Sequence, residues 1–224
     1  MGQRPRPPLM LVLAALFALA PAHAREPADL AIVGGRVHDG GTAPSRTGDV
    51  VIRDGRIVAV GPGAARGYRA TRVIAAKGKV VAPGFIDPHT HPNTYIRSEV
   101  ADERRTLPWL FQGVTTIGIG VDGGGDPRVA RQRGWFEEHG VGVNLVPFVG
   151  FGPVRREVLG ETARAPDAAE LARMEALVAQ GMCEGAFGFS TGLFYAPQSF
   201  ASTAEVVALA RQAARGGGGG GTHP

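Results

Sequence analysis

Residues 83–93 read PGFIDPHTHPN, a Gly- and Pro-punctuated apolar run that ends in two histidines, His89 and His91. Alternate side chains of an extended strand share one face, so the two imidazoles should point the same way while Thr90 points oppositely. Imidazole is a ligand that suits zinc, and a zinc site takes three or four protein ligands. The stretch therefore predicts part of a metal site at the carboxyl end of a strand.

Short apolar runs recur after this stretch. Together with the run that leads into the histidines they cover residues 80–87, 114–120, 143–150 and 185–191. Continuously apolar short strands are typical of a parallel sheet that is buried on both faces. Because helical patterns alternate with these runs, the sequence predicts an α/β fold, either a (β/α) barrel or a doubly wound sheet.

Two of the predicted helices carry clear end signals, and they cover residues 167–180 and 202–214. Asp167 and Glu170 form a capping pair at the start of the first helix, and Gly181 is expected to stop it. Ser202 and Glu205 predict a second capping box of the same kind.

The residues before these strands have a different character, with short β runs separated by glycine turns. In residues 50–60, VVIRDGRIVAV, the pair Asp54-Gly55 separates two β-branched runs, which is a strong hairpin signal. We therefore expect a small β-rich domain over residues 25–81 and a strand–helix region over residues 82–214. The latter suffices for about the first half of a TIM-type (β/α)8 barrel, because a complete barrel takes about 250 residues.

Residues 215–224 read RGGGGGGTHP. Glycine loses more backbone freedom on ordering than any other residue, so no regular element is expected in this run. We interpret the segment as an aberrant or truncated end, or as a disordered tail.

The first 24 residues are typical of a secretory signal peptide. Arg4 and Arg6 precede an apolar run over residues 9–20, and Ala22-His23-Ala24 predicts cleavage before Arg25. A run of this length is short of the roughly 20 residues that span a bilayer. The expectation is an exported protein, periplasmic or secreted, without a stable membrane anchor.

The charge balance and the cysteine count indicate which partners and cross-links the protein can have. The 24 Lys and Arg exceed the 20 Asp and Glu by 4, and loss of Arg4 and Arg6 would reduce the excess to 2. No basic block accompanies this balance, so a nucleic-acid partner is not expected. The single cysteine, Cys183, excludes an internal disulfide. Its helical context and the lack of a nearby histidine favour a small buried apolar residue over a reactive thiol.

Two further residues are candidates to complete the metal site. Asp122 follows the apolar run at residues 114–120, and His223 lies near the end of the chain. Both are expected where a strand ends, and barrel enzymes place their chemistry at the carboxyl ends of strands.

Three motifs resemble the amidohydrolase superfamily, and in particular its N-acyl-D-amino-acid deacylase (D-aminoacylase) branch. They are VVAPGFIDPHTH at residues 80–91, QGVTTIGIG at 112–120 and GAFGFSTGLFYAPQSFA at 185–201, the last being the most specific to the branch. The resemblance covers about residues 29–223. It implies a urease-like β/α barrel with a small β-sandwich, one or two zinc ions, and hydrolysis of the amide C–N bond of a small N-acyl amino acid.

The resemblance also implies roles for individual residues. His89 and His91 match the metal ligands of the family, and Asp122 stands where the family usually has a ligating cysteine. Tyr195 matches a tyrosine that contacts the substrate carboxylate. His223 matches a further ligand by position, although glycines replace the strand around it. The remaining ligands and the general-base aspartate have no counterpart in these 224 residues, so the chain is expected to be an inactive amino-terminal part with no assigned catalytic residue.

Two alternatives stay open from the sequence. Ser190 lies in GFSTG, which matches the G-x-S-x-G nucleophile elbow of serine hydrolases, but Pro197 follows where that elbow needs a helix. The other alternative is a non-catalytic secreted remnant or binding module.

The glycines of residues 121–126, VDGGGD, come without the lysine of a phosphate-binding loop and predict a tight strand-to-helix connection. The sequence does not indicate an oligomeric state.

Overall fold

The computed structural model describes residues 24–223, which form two compact units divided between Pro83 and Gly84. Residues 1–23, and with them nearly all of the predicted signal peptide, lie outside this range. Within residues 24–223, none of the helices combines the length and the apolar character needed to cross a membrane.

The first unit is a five-stranded sheet. Its strands are β1 (Glu26–Val37), β2 (Arg46–Arg53), β3 (Arg56–Gly61), β4 (Tyr68–Ala75) and β5 (Val80–Val81), with a 3-10 turn at Ala64–Gly67. β2 is antiparallel to β1 and β3, whereas β4 and β5 run parallel to β1. The predicted hairpin is confirmed: Asp54 and Gly55 both have positive φ, 51° and 69°, as a type I′ turn requires.

The second unit is built on a parallel sheet. Its strands are β6 (Phe85–Asp87), β7 (Val114–Ile119), β8 (Asn144–Gly150), β9 (Gly188–Gly192) and β10 (Gly219–His223). They lie side by side in chain order, each parallel to the next. A doubly wound sheet would reverse the strand order at a switch point. The sequential order therefore confirms a partial (β/α) barrel, and the separate sheet of the first unit confirms an amino-terminal β domain.

Helices connect these strands. They are α1 (Asn93–Ile96), α2 (Ala101–Arg104), α3 (Leu107–Leu110), α4 (Val129–His139), α5 (Phe151–Leu159), α6 (Ala168–Cys183) and α7 (Thr203–Arg215), with a 3-10 turn at Gln198–Phe200. Helices α5 to α7 bury an apolar cluster against β8 and β9 that includes Val149, Met174 and Leu209. A second cluster includes Ile117 of β7 and Val143, which lies just before β8.

The two predicted capping boxes differ in outcome. At α6 the box is confirmed, since the Asp167 carboxylate accepts from Glu170 N at 2.8 Å and the Glu170 carboxylate accepts from Asp167 N at 3.0 Å. At α7 only half of it forms: Ser202 Oγ accepts from Glu205 N at 3.2 Å, but the Glu205 carboxylate binds Arg155 at 3.0 Å. The guanidinium of Arg155 is buried and needs an anionic partner. The Glu205 carboxylate therefore pairs with Arg155 and does not complete the capping box.

Gly181 does not end α6, which continues to Cys183. A Cβ at Gly181 would overlap Val149 Cγ2 and lie 2.8 Å from the carbonyl oxygen of Pro127. Gly181 thus lets α6 approach β8. The expected burial of Cys183 is also wrong: the buried face of α6 includes Met174, Val178 and Met182, and Cys183 lies one position beyond it and is exposed.

The glycine run forms a regular element, contrary to expectation. β10 pairs with β9 over five residues, from Gly219 opposite Gly188 to His223 opposite Gly192. A strand ladder is made by backbone groups, so glycines can occupy it when a neighbouring strand offers partners. The Thr191 hydroxyl adds a side-chain bond of 2.7 Å to the Thr222 hydroxyl.

Candidate metal centre

The two histidines follow β6 directly. The Asp87 carboxylate, at the end of β6, accepts a hydrogen bond from His89 N at 3.2 Å and so shapes the turn. Thr90 is buried, and its hydroxyl donates to the carbonyl of Gly118 in β7 at 2.7 Å. The side chains of His89 and His91 are 52% and 60% exposed. The predicted alternation is therefore present, with Thr90 directed inwards and both imidazoles outwards.

The close contact between this turn and β7 requires a glycine at position 118. A Cβ at Gly118 would overlap the carbonyl group of Pro88. The turn that carries the histidines can therefore lie against β7 only because residue 118 has no side chain.

Asp122 lies in the loop after β7 and faces the histidines. Its φ of 53° is in the left-handed region, which is uncommon for residues other than glycine. Its side chain is only 12% exposed, with Oδ1 3.4 Å from His89 Nε2 and Oδ2 3.2 Å from His91 Nε2. One ligand atom from each of the three residues lies within 4.8 Å of the others. The structure thus brings together three of the four predicted metal ligands.

These three side chains fit a zinc ion. Two imidazole nitrogens and a carboxylate oxygen form a zinc donor set, and tetrahedral bonds of 2.0–2.1 Å separate ligand atoms by roughly 3.3 Å. The distances of 3.4 and 3.2 Å between the histidine nitrogens and the Asp122 oxygens are of this size. Asp122 Oδ1 is buried and accepts no hydrogen bond, a state that a bound cation would satisfy. Metal binding by these residues stays a prediction.

The other two predicted site residues follow β9 and end β10. Tyr195 lies in the turn after β9, where its N–H donates to the carbonyl of Gly192 at 2.9 Å and its half-exposed ring contacts Phe194 edge-on. His223 is the last residue of β10, and its backbone pairs with Gly192. Its side chain lies outside the described part of the chain. Both positions belong to the carboxyl ends of strands in the same parallel sheet as the histidines.

Ser190 has a different environment from a catalytic serine. It is 1% exposed, and its hydroxyl donates to the carbonyl of Gly120 at 2.5 Å while it accepts from Gly123 N at 3.1 Å. The hydroxyl proton is thus held by a backbone carbonyl. No helix follows β9 directly, since a turn and the 3-10 turn at Gln198–Phe200 come next. This geometry does not fit a nucleophile elbow, which turns straight from strand to helix.

Sequence reasoning missed the residues that support Asp122. Ser190 and Gln198 both bond to the loop that carries it, although they lie 68 and 76 positions further along the chain. No local pattern connects residues so far apart. The only signal was their position inside the third, branch-specific motif.

A cavity of about 330 Å³ lies beside the cluster, lined by His89, Asp122 and Ser190, by the rings of Phe148 and Phe187, and by β10. A larger cavity of about 610 Å³ lies between α4 and the start of β8. None of the three clustered residues lines the larger cavity, so we assign the site by its chemistry rather than by cavity size.

Comparison with known proteins finds several similar enzymes. No protein-family model matches the chain. The chain is similar to the N-acyl-D-aspartate deacylase of Alcaligenes xylosoxydans xylosoxydans, with 39% identity over 204 residues, 80% of this chain and 40% of the deacylase.

Two solved structures are similar in both fold and sequence. One is the N-acyl-D-glutamate deacylase of Bordetella bronchiseptica with zinc and a phosphonate that mimics the tetrahedral intermediate, at 32% identity and a TM-score of 0.78. The other is a D-aminoacylase with a binuclear metal centre, activated by one metal and attenuated by the second, at 34% identity and a TM-score of 0.77. Each covers 88% of this chain, which spans 45% of either structure. The chain therefore spans less than half the length of these relatives.

Proposed function

We propose that this chain, which is similar to an N-acyl-D-aspartate deacylase, an N-acyl-D-glutamate deacylase and a D-aminoacylase, supplies part of the active site of a zinc-dependent amidohydrolase. The reaction is hydrolysis of the amide C–N bond of an N-acyl-D-amino acid. The observation that carries the proposal is the convergence of His89, His91 and Asp122 beyond the carboxyl ends of β6 and β7.

The proposed ligands are a ring nitrogen from each histidine and a carboxylate oxygen from Asp122, with His223 as a further ligand. A zinc ion held by these residues would polarise the scissile carbonyl and would lower the pKa of a water molecule towards about 7. The zinc-bound relative supports this choice of metal. The donor set itself supports it too, because imidazole and carboxylate groups suit zinc.

Tyr195 is proposed to orient the substrate. Its half-exposed side chain follows β9, in the sheet whose strands β6 and β7 precede the metal ligands. A phenol O–H can donate a hydrogen bond to the α-carboxylate of an N-acyl amino acid. Such a bond would hold the substrate in one orientation without taking part in bond cleavage.

We propose that the 224 residues alone have little or no amidase activity. Transfer of a proton from water to the leaving nitrogen takes a general acid–base group. In residues 24–223, Asp122 is the one carboxylate that clusters with the two histidines, and it is assigned as a ligand. The site thus lacks a candidate for proton transfer in the described part of the chain.

Zinc content tests the proposal. Zinc per chain is measured by mass spectrometry after exhaustive dialysis, for the wild type, for the His89→Ala/His91→Ala double variant, and for His38→Ala as an exposed histidine of the other unit. We expect at least one zinc in the wild type and in His38→Ala, and its loss in the double variant. A wild type without zinc overturns the metal centre and favours the alternative of a non-catalytic remnant or binding module.

Activity of the isolated chain is measured separately. Zinc-dependent release of D-amino acid from N-acyl-D-aspartate, N-acyl-D-glutamate or an apolar N-acyl-D-amino acid at ordinary enzymatic rates would overturn the proposed inactivity of the 224 residues. It would leave the proposed metal centre intact.

Export is proposed on the sequence of residues 1–24. Amino-terminal sequencing of the protein recovered outside the cytoplasm should then begin at Arg25. Recovery of the chain with Met1 in place would contradict cleavage at this site.

A further inference from the structure

We infer that Ser190 and Gln198 are positioning residues that direct the Asp122 carboxylate towards the metal by holding the backbone of residues 120–123 in place. The inference rests on the proposed function, because it assigns these two residues to the same metal centre. Neither residue is placed among the ligands. Both act on the loop between β7 and α4 from the segment formed by β9 and the turn after it.

Ser190 bonds to both ends of the 120–123 segment through a single buried atom. Its Oγ donates to the carbonyl of Gly120 at 2.5 Å and accepts from the N–H of Gly123 at 3.1 Å. A hydroxyl has one proton to donate and lone pairs to accept, so it can make both bonds at once. The two bonds fix the separation of Gly120 and Gly123, and Asp122 lies between them.

Gln198 ties the middle of the same loop to the end of β9. Its Nε2 donates to the carbonyl of Asp122 itself at 3.2 Å, and its Oε1 accepts from Gly192 N at 2.8 Å. The side chain is buried and bridges two backbone groups. Because one partner is a donor and the other an acceptor, only one orientation of the amide satisfies both.

The fit around Gln198 leaves little freedom. A Cβ at Gly123 would overlap the Gln198 amide, and a Cβ at Gly192 would overlap the carbonyl group of Asp122. The loop, Gln198 and the end of β9 are therefore packed at a separation that only glycine allows at these two positions.

Asp122 depends on this support in a way that an ordinary ligand does not. Its φ of 53° is sparsely populated for residues other than glycine, so surrounding contacts must maintain it. Its buried Oδ1 accepts no hydrogen bond, and its two oxygens lie 3.4 and 3.2 Å from the imidazoles of the other two proposed ligands. The position from which the carboxylate reaches these imidazoles is set by the backbone conformation, and the backbone is held by Ser190 and Gln198.

The expected consequence is a loss of metal affinity that exceeds any general effect on folding. Groups that orient metal ligands typically change metal affinity by about 10- to 100-fold when they are removed. We expect Ser190→Ala and Gln198→Ala each to fall in this range. The visible spectrum of the bound metal should also change, because the angle and distance of the carboxylate oxygen change.

The test uses Co²⁺ as a spectroscopic probe on the full 224-residue chain. Co²⁺ affinity is measured by competition with a chelator, the visible absorption of the Co²⁺ complex is recorded, and thermal unfolding of the metal-free protein is followed in parallel. Ser202→Ala is the matched control, since it removes a serine hydroxyl that caps α7 and does not contact the 120–123 loop. We expect Ser202→Ala to lower thermal stability while it keeps the wild-type Co²⁺ affinity within about 2-fold and the wild-type spectrum.

The outcomes separate the two proposals. Wild-type affinity and spectrum in a folded Ser190→Ala or Gln198→Ala protein overturn the positioning role while the metal centre stands. A wild type that does not bind Co²⁺ overturns the metal centre and the positioning role with it. If Ser190→Ala does not fold, Gln198→Ala decides alone.

Discussion

The Thr90 hydroxyl donates a hydrogen bond of 2.7 Å to the carbonyl of Gly118, and this bond joins the histidine turn to the neighbouring strand β7. It directs the residue between the two histidines inwards, so both imidazoles face outwards. It also connects the turn to the strand whose following loop carries Asp122. One side-chain bond thus links the two segments that supply the proposed metal ligands.

Removal of this bond should affect folding and metal binding together. Thr90→Val keeps the shape of the side chain but leaves the Gly118 carbonyl without its partner, which should lower the free energy of unfolding by about 1–3 kcal/mol. Zinc affinity should fall as well, because the turn loses its register on β7. Urea denaturation and zinc competition measure the two effects, with Thr162→Val as a threonine control away from the site. Unchanged zinc affinity in Thr90→Val would argue against the coupling.

Two glycines in helices should respond to alanine with opposite signs. Gly181→Ala should destabilise the protein by about 1–3 kcal/mol, because its Cβ would overlap Val149 and crowd the carbonyl of Pro127. Gly134→Ala in α4 meets no atom within 4 Å. It should therefore stabilise the protein by about 1 kcal/mol through helix propensity. Chemical denaturation of both variants checks this, and a Gly181→Ala protein at least as stable as the wild type would contradict the close packing of α6 on β8.

Among the ion pairs in the described part of the chain, the one between Arg155 and Glu205 should cost the most stability when it is broken. Both side chains are almost fully buried, and Arg155 also donates to the carbonyls of Thr162 and Arg164. Glu205→Leu leaves a buried guanidinium without an anion, which typically costs about 3–5 kcal/mol.

A matched control is Glu157→Ala, which removes the exposed partner of Arg128. Exposed pairs contribute about 0–1 kcal/mol, so denaturation midpoints should separate the two variants clearly. Equal midpoint shifts would be inconsistent with the burial of the Arg155–Glu205 pair.

Acid should weaken the amino-terminal cap of α6. The Arg164 guanidinium donates two hydrogen bonds of 2.6 Å to Glu170, and Asp167 N donates another, which lowers the pKa of Glu170 from 4.5 to about 2. Because the folded-state pKa is depressed, the ionised carboxylate stabilises the protein fully above about pH 4.5, and this contribution is lost as the pH falls towards 2. The difference in melting temperature between the wild type and Glu170→Gln should therefore shrink from pH 5 to pH 2. A difference that stays constant with pH would contradict the shifted pKa.

Local patterns predicted a large part of this fold. The Asp54-Gly55 turn and the Asp167–Glu170 box depend on residues close in sequence, and the apolar runs correctly indicated the parallel strands. The second role of Glu205 could not be predicted, because Arg155 lies 50 residues away and nothing local indicates its burial. The expectation of no regular element in the glycine run was wrong for a similar reason. The strand β10 is stabilised by backbone groups of β9 rather than by its own side chains.

The candidate site shows the same division. The spacing of His89 and His91 was sufficient to predict a shared face, and the end of an apolar run was sufficient to suggest Asp122. The support of Asp122 by Ser190 and Gln198 depends on how β9 and the following turn pack against the loop after β7. That arrangement arises only when the sheet has formed.

X-ray absorption at the zinc edge of the zinc-loaded 224-residue chain tests the central claim most directly, because it counts the imidazole ligands of the bound ion. The account predicts at least two imidazole ligands with zinc–nitrogen distances of about 2.0–2.1 Å in the wild type. These two should be absent from any zinc that remains in the His89→Ala/His91→Ala variant. A wild-type spectrum without imidazole scattering, or one that is unchanged in the double variant, would contradict it.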